Sequence, residues 1–436
     1  MTEKPEPTQG SPLRTAVLAA LIITLAGSSF ESATVSSATY VARYILAALL
    51  VWITASQGSH TSVRLSQLPG PARLLISSSW LLTAVGALSY TWSIAPRETA
   101  FQAAVFALLT ANMHVNAVRR WHDRRAVLAD MTTIFWVLAV TILLSLSTGV
   151  LVGGRLAGLY SNPNSLGILA AFTVALGAGV WRGEGTRFRA GIVFASALSA
   201  VALFATSSRT ATIAVTAGLA LSGLRRKSFP PGVIVSGCFA GAAVTLLYAF
   251  GGKLPLPAVV GRLQQTGATG RLSSREEIWE YSIRLWELRP TTGYGFRAGE
   301  IAFEQLQYLG ASKGGATFNS YLQVLLELGY LGMLPLAGAL VSLIWAIVRA
   351  REGVQTGLAA LVITGLATGL TESSLFGLGH PIAWVFWLSA SALTAGSVRA
   401  PRGREPVGGD AQAVGGGSSR RILAGTPPTT TLSGNI

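Results

Sequence analysis

Apolar stretches as long as a membrane-spanning helix recur from one end of the chain to the other. A span needs about 17 to 25 residues to cross the hydrocarbon core of a bilayer, and twelve runs of this order can be marked along the 436 residues. Half of the residues are hydrophobic and only 12% are charged, whereas a soluble domain carries about 25% charged residues. The sequence therefore predicts an all-α polytopic membrane protein with about twelve transmembrane helices.

The predicted spans divide the chain into five parts. Residues 1–13 are a cytoplasmic N-terminus, 14–250 carry nine helices, 251–318 form a long extracytoplasmic loop, 319–398 carry three more helices, and 399–436 are a disordered cytoplasmic tail rich in Gly, Pro, Ser and Thr. The first span has the order of a signal peptide without a clean cleavage site, so we expect it to be retained. The spans are predicted at about residues 14–30, 38–56, 74–92, 98–118, 127–151, 164–181, 190–206, 209–224, 232–250, 319–348, 354–371 and 381–398, the tenth being broken near Gly329.

The basic residues test this count. Most of the net charge of +15 comes from loops that fall on one side of the membrane if there are twelve spans. Because positively charged loops stay in the cytoplasm, that side and both termini are predicted to be cytoplasmic, in a protein of the cytoplasmic (inner) membrane. Topology thus explains the charge, and no nucleic-acid partner is expected. The residues concerned are Arg64, Arg73, Arg119, Arg120, Arg124, Arg125, Arg182, Arg187, Arg189, Arg225, Arg226, Lys227, Arg349, Arg351, Arg399, Arg402 and Arg404.

The external loop contains an amphipathic segment. In "REEIWEYSIRLWELRP", Ile278, Trp279, Ile283, Leu285 and Trp286 recur at helical spacing. This pattern predicts a helix that lies on the outer membrane surface.

Some arginines fall on the predicted outer side, against the positive-inside bias, and four of them stand out: Arg155, Arg209, Arg271 and Arg275. Arginine presents a rigid fork of donors and stays charged at any relevant pH, so it suits a diphosphate. We expect these arginines to bind an anionic substrate embedded in the membrane. Contact with lipid headgroups, or pairing with the glutamates of residues 276–280, is the alternative.

Polar residues near these arginines extend the candidate site. In "YSNPNSLG", Asn162 and Asn164 flank a proline before the next span, where helix capping would also explain them. In "TFNSYLQVLLELGYLG", Asn319, Gln323 and Glu327 are four apart and share one face of a helix. They are predicted to line a path from the outer surface into the bundle. An interhelical hydrogen-bonded seam is the alternative.

The acidic residues and histidines limit the chemistry. No outward-facing Asp-x-Asp and no His or Cys cluster of metal-ligand spacing occurs, so neither a metal nor another cofactor is expected. The sequence also lacks a Walker-type glycine loop, which disfavours ATP. Glu304, Glu372 and His380 are candidate general bases on the predicted outer side, and Glu31 is a further external carboxylate. A structural contact is the alternative for the lone histidine.

Five segments, in order, resemble the O-antigen ligase and O-antigen polymerase superfamily: "RLAGLYSNPNSLG", "SSRTA", "SREEIWEYSIRLWELRPTTGYGF", "FNSYLQVLLELGYLG" and "LTESSL". The resemblance covers roughly residues 150–380, in which Arg155, Arg209 and Arg275 match motif positions and Arg271 is adjacent. It implies a metal-independent, inverting glycosyltransferase at the outer face of the cytoplasmic membrane. The donor would be a polyprenyl-diphosphate-linked glycan and the acceptor a hydroxyl on a glycan, lipid or protein, with arginines stabilising the leaving diphosphate.

One position departs from the family pattern. Asn319, Gly329 and Gly332 match, but Phe318 stands where family ligases carry the histidine that would activate the acceptor hydroxyl. Phenylalanine cannot accept a proton. Three interpretations would each fit: another base such as Glu304, Glu327, Glu372 or His380, a polymerase-type reaction that relies on leaving-group stabilisation, and a non-catalytic glycan-binding role. Phe318 could stack on a sugar ring in any of them.

A flippase or other transporter of lipid-linked glycan is the main alternative from another functional class. Transporters place ionisable groups near the bilayer midplane and tend to contain repeats. Here the candidate charges cluster at the predicted outer surface and no repeat is evident. A polysaccharide polymerase or ligase is therefore the leading hypothesis.

Overall fold

The computed structural model describes most of the predicted spans. The ninth predicted span at residues 232–250, Arg271, Glu31 and the tail at residues 399–436 lie outside the described residues. The described residues are 11–27, 33–56, 64–121, 123–183, 186–224, 275–305, 317–350 and 353–396.

Helices dominate the described part of the chain. They are α1 (Pro12–Gly27), α2 (Ala33–Ser56), α3 (Gly70–Leu88), α4 (Pro96–Arg119), α5 (Arg124–Thr148), α6 (Pro163–Gly183), α7 (Thr186–Ala205), α8 (Arg209–Leu224), α9 (Arg275–Leu288), α10 (Gly299–Gln305), α11 (Ser320–Arg349), α12 (Val354–Gly369) and α13 (Pro381–Ala395). Short 3-10 turns lie at Leu65–Gln67 and Ser89–Thr91. An antiparallel hairpin of β1 (Leu151–Val152) and β2 (Arg155–Leu156) follows α5.

The prediction of an all-α polytopic membrane protein is confirmed. Within the described ranges, seven helices are long and apolar enough to cross a membrane, and α1, α12 and α13 are shorter apolar helices. Every predicted span except the ninth coincides with one of α1 to α8 or α11 to α13. The total of twelve spans stays a prediction, because the ninth lies outside the described residues.

Small residues allow the helices to approach closely. α12 packs along both α6 and α8, and α11 packs along α3. Where α6 crosses α12, a Cβ built on Gly179 would lie 2.8 Å from the Cα of Gly357. Such small-residue contacts bring helix backbones together where there is no water to drive association. α13 lies at the centre of the bundle, and all of its residues are buried.

A buried ion pair ties the helix ends on the predicted cytoplasmic side. Arg14 in α1 donates from Nη1 and Nη2 to the two carboxylate oxygens of Asp130 in α5, at 2.5 and 2.9 Å. Arg14 also donates to Thr54 in α2 and to Asn116 in α4. Trp121 Nε1 donates to Asp130 at 2.9 Å. A charge this deeply buried is tolerated because it is paired and hydrogen-bonded.

The amphipathic segment of the predicted external loop forms a helix, α9, as expected. Its apolar side is divided between two environments. Ile278 and Leu285 are buried in a cluster that includes Leu326 of α11, whereas Ile283 is 42% exposed. Part of the face that we predicted to lie on the membrane therefore packs against the protein instead, because α11 offers an apolar partner directly beside it.

The break predicted near Gly329 is confirmed. Gly329 has φ 57° and ψ −151°, which interrupts α11 between two helical parts. This conformation is accessible to glycine and strained for other residues. The interruption leaves backbone N–H and carbonyl groups of α11 without partners in their own helix. The loop after α9 supplies partners for four of these groups.

Candidate functional site

A continuous chain of hydrogen bonds joins four of the predicted site residues, which we call the arginine–glutamate cluster: Arg155, Asn164, Arg275 and Glu372. Arg155 Nη2 donates to Asn164 Oδ1 at 2.5 Å, and Asn164 Nδ2 donates to Glu372 Oε1 at 2.9 Å. Arg275 Nη2 donates to the same Glu372 oxygen at 2.6 Å. The cluster brings together β2, the start of α6, the start of α9 and the loop after α12.

The hairpin holds Arg155 in place. Its turn residues, Gly153 and Gly154, both have positive φ, as a tight two-residue turn requires. Arg155 Nε donates to the carbonyl of Thr206 at 2.7 Å, so its guanidinium links the α7–α8 turn to Asn164. Arg209 begins α8 three residues after Thr206, and its side chain is exposed.

The two asparagines of "SNPN" have different contacts. Asn162 Oδ1 accepts from the backbone N–H of Asn164 at 2.8 Å, which is the capping contact at the start of α6. The Asn164 side chain instead bridges Arg155 and Glu372. Its amide orientation is fixed by its neighbours, because arginine only donates and an ionised carboxylate only accepts.

Glu372 is held by side chain and backbone together. Its side chain is 13% exposed, and burial raises the pKa of its carboxyl while Arg275 opposes that rise. Ser320 Oγ donates to the Glu372 carbonyl at 2.7 Å and accepts from the backbone N–H of Leu375 at 3.1 Å. The first turn of α11 therefore fixes the loop that carries Glu372.

The ring of Phe318 lies under Arg275. The guanidinium carbon is 5.2 Å from the ring centroid, within the range of a cation–π contact. Phe318 has φ 47°, an uncommon conformation for a bulky residue. Asn319 then caps α11, its Oδ1 accepting from the backbone N–H groups of Tyr321 and Leu322 at 2.9 and 3.0 Å. Arg275 also donates to the carbonyl of Thr371.

The other two candidate bases lie outside this cluster. Glu304 is exposed on α10, and in the described ranges no hydrogen bond or ion pair joins it to the cluster. His380 caps α13, its Nδ1 accepting from the backbone N–H of Ile382 at 3.3 Å. Burial, with a smaller effect of Arg43, lowers the pKa of His380 to about 4. These are the contacts of the structural alternative for His380, whose ring centroid lies 6.0 Å from that of Tyr160.

Gln323 and Glu327 are almost fully buried, at 3% and 2% exposure. Gln323 Nε2 donates to Glu327 Oε1 at 2.9 Å, and the backbone N–H of Arg297 donates to Glu327 Oε2 at 2.8 Å. The first contact lies within α11 and the second joins α11 to the loop that carries Arg297, so neither is the interhelical seam, and the substrate path stays a prediction.

One polar residue of interest was missed by sequence reasoning. Arg43 lies inside α2, is 4% exposed, and donates to the carbonyl of Gly379 and to the hydroxyl of Tyr44, each at 2.7 Å. Its guanidinium also lies over the rings of Tyr40 and Tyr44. The signal was available, because a charge inside an apolar span indicates a structural or functional contact.

Across the described ranges, no three His, Cys, Asp or Glu side chains are grouped as ligands of a metal ion would be. The donors of the cluster are instead guanidinium and amide groups, which bind anionic oxygen.

Two comparisons with known proteins bear on this cluster. Residues 194–337 match the family model described as O-Antigen ligase. The chain is also 29% identical, over 193 residues, to "Exopolysaccharide production protein ExoQ" of Rhizobium meliloti (strain 1021). That alignment covers 41% of this chain and 42% of the relative, so the chain spans less than half of the relative's length.

The family match contains some of the cluster and is joined to the rest by the fold. Arg275, Phe318 and the break at Gly329 lie within the matched segment, whereas Arg155 and Glu372 lie outside it. The hydrogen bonds described above connect the two sets. Residues 194–337 are therefore similar to the O-antigen ligase family, and the ordered motifs resemble the same superfamily.

Proposed function

We propose that the chain is a membrane glycosyltransferase, a polysaccharide polymerase or ligase. It transfers a glycan from a polyprenyl-diphosphate carrier to an acceptor hydroxyl at the outer face of the cytoplasmic membrane. The observation that carries the proposal is the convergence of Arg155 and Arg275, from distant parts of the sequence, on Asn164 and Glu372. The family match and the relative's description as an exopolysaccharide production protein support it.

The diphosphate of the donor binds to the arginines of the cluster. Arg275 pairs with Glu372 through one of its terminal nitrogens, and a diphosphate oxygen competes for the same donors because it offers the same charge and geometry. Arg155 is held by its hydrogen bond to the Thr206 carbonyl, and it reaches Glu372 through Asn164. Arg209, at the start of α8, and Arg271, outside the described residues, are further proposed diphosphate ligands.

Transfer then proceeds by direct displacement. The acceptor oxygen forms a bond to the anomeric carbon as the bond from that carbon to the diphosphate oxygen breaks, which inverts the anomeric configuration. The electron pair of the broken bond passes to the diphosphate, whose developing charge is stabilised by the arginines. No metal is required, because the guanidinium groups supply the positive charge.

Glu372 is the proposed general base. Of Glu304, Glu372 and His380, Glu372 alone is hydrogen-bonded, within the described residues, to a proposed diphosphate-binding arginine. When the diphosphate of the donor replaces the Glu372 carboxylate on Arg275, the carboxylate is free to accept the proton of the acceptor hydroxyl. Once Arg275 pairs with the diphosphate, it no longer opposes the effect of burial on Glu372. The pKa of Glu372 then rises towards the range that suits a general base.

The test is a transfer assay with the purified full chain in lipid nanodiscs. Polyprenyl-diphosphate glycan is supplied with a panel of glycan, lipid and protein acceptors, with and without EDTA. We expect released polyprenyl diphosphate and a glycosidic product of inverted configuration, unaffected by EDTA. Absence of release with every acceptor, together with donor binding that survives Arg209→Ala, would refute the enzyme and favour a binding protein. Movement of intact donor across the membrane would indicate a transporter.

A further inference from the structure

The loop after α9 caps the broken end of the first part of α11. The backbone N–H of Tyr294 donates to the carbonyl of Leu326 at 3.2 Å, and that of Gly295 donates to the carbonyl of Glu327 at 2.8 Å. In a continuous helix these carbonyls would accept from residues beyond Gly329. The loop supplies the donors that the break removes.

The same loop satisfies the second part of α11. The N–H groups of Tyr330 and Leu331 donate to the carbonyls of Pro290 and Thr291 at 2.9 and 3.2 Å. Residues 290–297, which we call the break segment, thus replace missing helix hydrogen bonds on both sides. An unsatisfied backbone group costs several kcal/mol where there is no water, so the break segment and α11 depend on each other.

The fit leaves no space for larger residues. A Cβ on Gly293 would lie 2.5 Å from the carbonyl carbon of Glu327, and one on Gly329 would lie 2.5 Å from the carbonyl oxygens of Pro290 and Thr291. Both glycines have positive φ. The two backbones are therefore in direct contact.

A buried carboxylate locks this contact. Glu327 Oε2 accepts from the backbone N–H of Arg297 at 2.8 Å, while its own carbonyl accepts from Gly295. Glu327 therefore binds the break segment from both side chain and backbone. Gln323 holds the other carboxylate oxygen at 2.9 Å. A carboxylate inside a span is costly, which is why these donors are needed.

The break segment in turn holds α9. Tyr294 Oη donates to the carbonyl of Leu285 at 2.9 Å, and Trp286 Nε1 donates to the carbonyl of Pro290 at 3.2 Å. Tyr294 and Leu285 are also buried in one apolar cluster with Leu326 of α11. Arg275 is the first residue of the helix held in this way.

We propose that Glu327 is a positioning residue: by locking the break segment into α11, it fixes α9 and so holds the guanidinium of Arg275 in the arginine–glutamate cluster. The role of Arg275 in this statement rests on the proposed function. The link from Glu327 to the position of α9 stands on the hydrogen bonds alone.

Two substitutions separate the lock from the charge. Glu327→Gln retains an oxygen for the Arg297 N–H. Its amide also pairs with Gln323 once the Gln323 side-chain amide rotates. Gln323 Oε1, which is buried and has no hydrogen-bond partner among the described residues, then becomes the acceptor. Glu327→Ala removes both contacts. Ser342→Ala is the matched control, since it deletes a buried hydrogen bond to the Pro71 carbonyl from the second part of α11.

The first readout is a distance that does not depend on activity. Cys238, the single cysteine of the sequence, is first replaced by serine so that labels attach only where intended. Nitroxide labels are then placed at the exposed positions 287 in α9 and 147 in α5. The distance between them, measured by pulsed electron double resonance in nanodiscs, reports the placement of α9. We expect a narrow distribution for the unsubstituted chain, Glu327→Gln and Ser342→Ala, and a broader or displaced one for Glu327→Ala. A distribution for Glu327→Ala that equals the others overturns the proposal, as does one for Glu327→Gln that matches Glu327→Ala.

The second readout is transfer. A misplaced catalytic group costs on the order of 100-fold in rate, so Glu327→Ala should lower kcat by about that factor while Glu327→Gln stays within about 2-fold, as a retained geometry predicts. If α9 moves in Glu327→Ala and kcat does not fall, the link to Arg275 is wrong. If the unsubstituted chain has no transfer activity, the proposed function fails, and the distance measurement still decides whether Glu327 positions α9.

Discussion

Arg275 donates to Glu372 at 2.6 Å across a sequence separation of 97 residues, while its guanidinium lies over the ring of Phe318. The side chains of Arg275 and Glu372 are 22% and 13% exposed. A pair this shielded from water is costly to assemble unless its donors and acceptors are satisfied. Asn164 donates a second hydrogen bond to the same Glu372 oxygen, and it connects the pair to Arg155.

The first prediction concerns Glu372 as a base. Transfer should rise with pH through a pKa above the ordinary glutamate value of 4.5, because burial raises the pKa of Glu372 and only its ionised form accepts a proton. Glu372→Gln should lower kcat by roughly 100-fold and remove this dependence. The measurement is kcat between about pH 4 and pH 8, the range over which such a group titrates. A Glu372→Gln variant with unchanged kcat would mean that the base lies elsewhere.

The second prediction concerns the ring of Phe318. A cation–π contact contributes about 0.5 to 2 kcal/mol, so Phe318→Ala should weaken donor binding by roughly 2- to 30-fold as Arg275 loses its support. Phe318→Tyr keeps an aromatic face and serves as the control. Donor affinity is measured by titration of nanodiscs with polyprenyl-diphosphate glycan. Equal affinities for the alanine and tyrosine variants would show that the ring does not support Arg275.

The third prediction concerns His380. Its pKa of about 4 in the folded protein lies below the unfolded value of 6.5, so the unfolded chain binds the proton more readily between these values. The stability contribution of His380 is therefore complete above about pH 6.5 and is lost as the pH falls towards 4.

Thermal unfolding in nanodiscs across that range tests the His380 prediction. His380→Asn should keep the cap on α13 and remove this part of the acid sensitivity, whereas His380→Ala should cost about 1 kcal/mol at all pH values by loss of the cap. An acid-sensitivity profile of His380→Asn that overlays the unsubstituted chain would contradict the account.

The fourth prediction concerns the buried pair of Arg14 and Asp130. Asp130→Ala should destabilise the protein by about 3 to 5 kcal/mol, because it leaves the Arg14 charge buried without its carboxylate. The double substitution Arg14→Met with Asp130→Leu should lower the free energy of unfolding by less than Asp130→Ala alone, because neither position then carries a buried charge. A double-mutant cycle by thermal unfolding, with Arg14→Met and Asp130→Leu as its two single substitutions, measures the coupling between the side chains. Additive losses would indicate that the two side chains do not interact.

The sequence predicted the helical elements well and the contacts of polar residues only in part. The apolar length of a run predicts a span whatever packs beside it. The break near Gly329 was predicted too, because that glycine lies inside an apolar run longer than one span needs. Arginines against the positive-inside bias led to Arg155 and Arg275, which the structure brings together through Asn164 and Glu372.

The contact of Glu327 with the Arg297 N–H and that of Arg43 with the Gly379 carbonyl were not predictable from local pattern. The periodicity of α11 puts Glu327 on a polar face but does not reveal that a loop from another segment inserts at Gly329 and binds its carboxylate. Arg43 contacts the carbonyl of Gly379 across a separation of 336 residues. Both pairings depend on tertiary packing, so they cannot be inferred from the residues nearby in the sequence.

The central claim is that Arg275 binds the diphosphate of the donor and stabilises it as it leaves. The most direct test compares polyprenyl-diphosphate release by Arg275→Ala and Arg284→Ala. Both residues lie on α9, and Arg284 is an exposed arginine paired with Glu280 at 2.6 Å. Loss of one charged donor to a transition state costs roughly 100- to 1,000-fold, so we predict that decrease for Arg275→Ala and release near the unsubstituted rate for Arg284→Ala. Equal rates for the two variants would contradict the account.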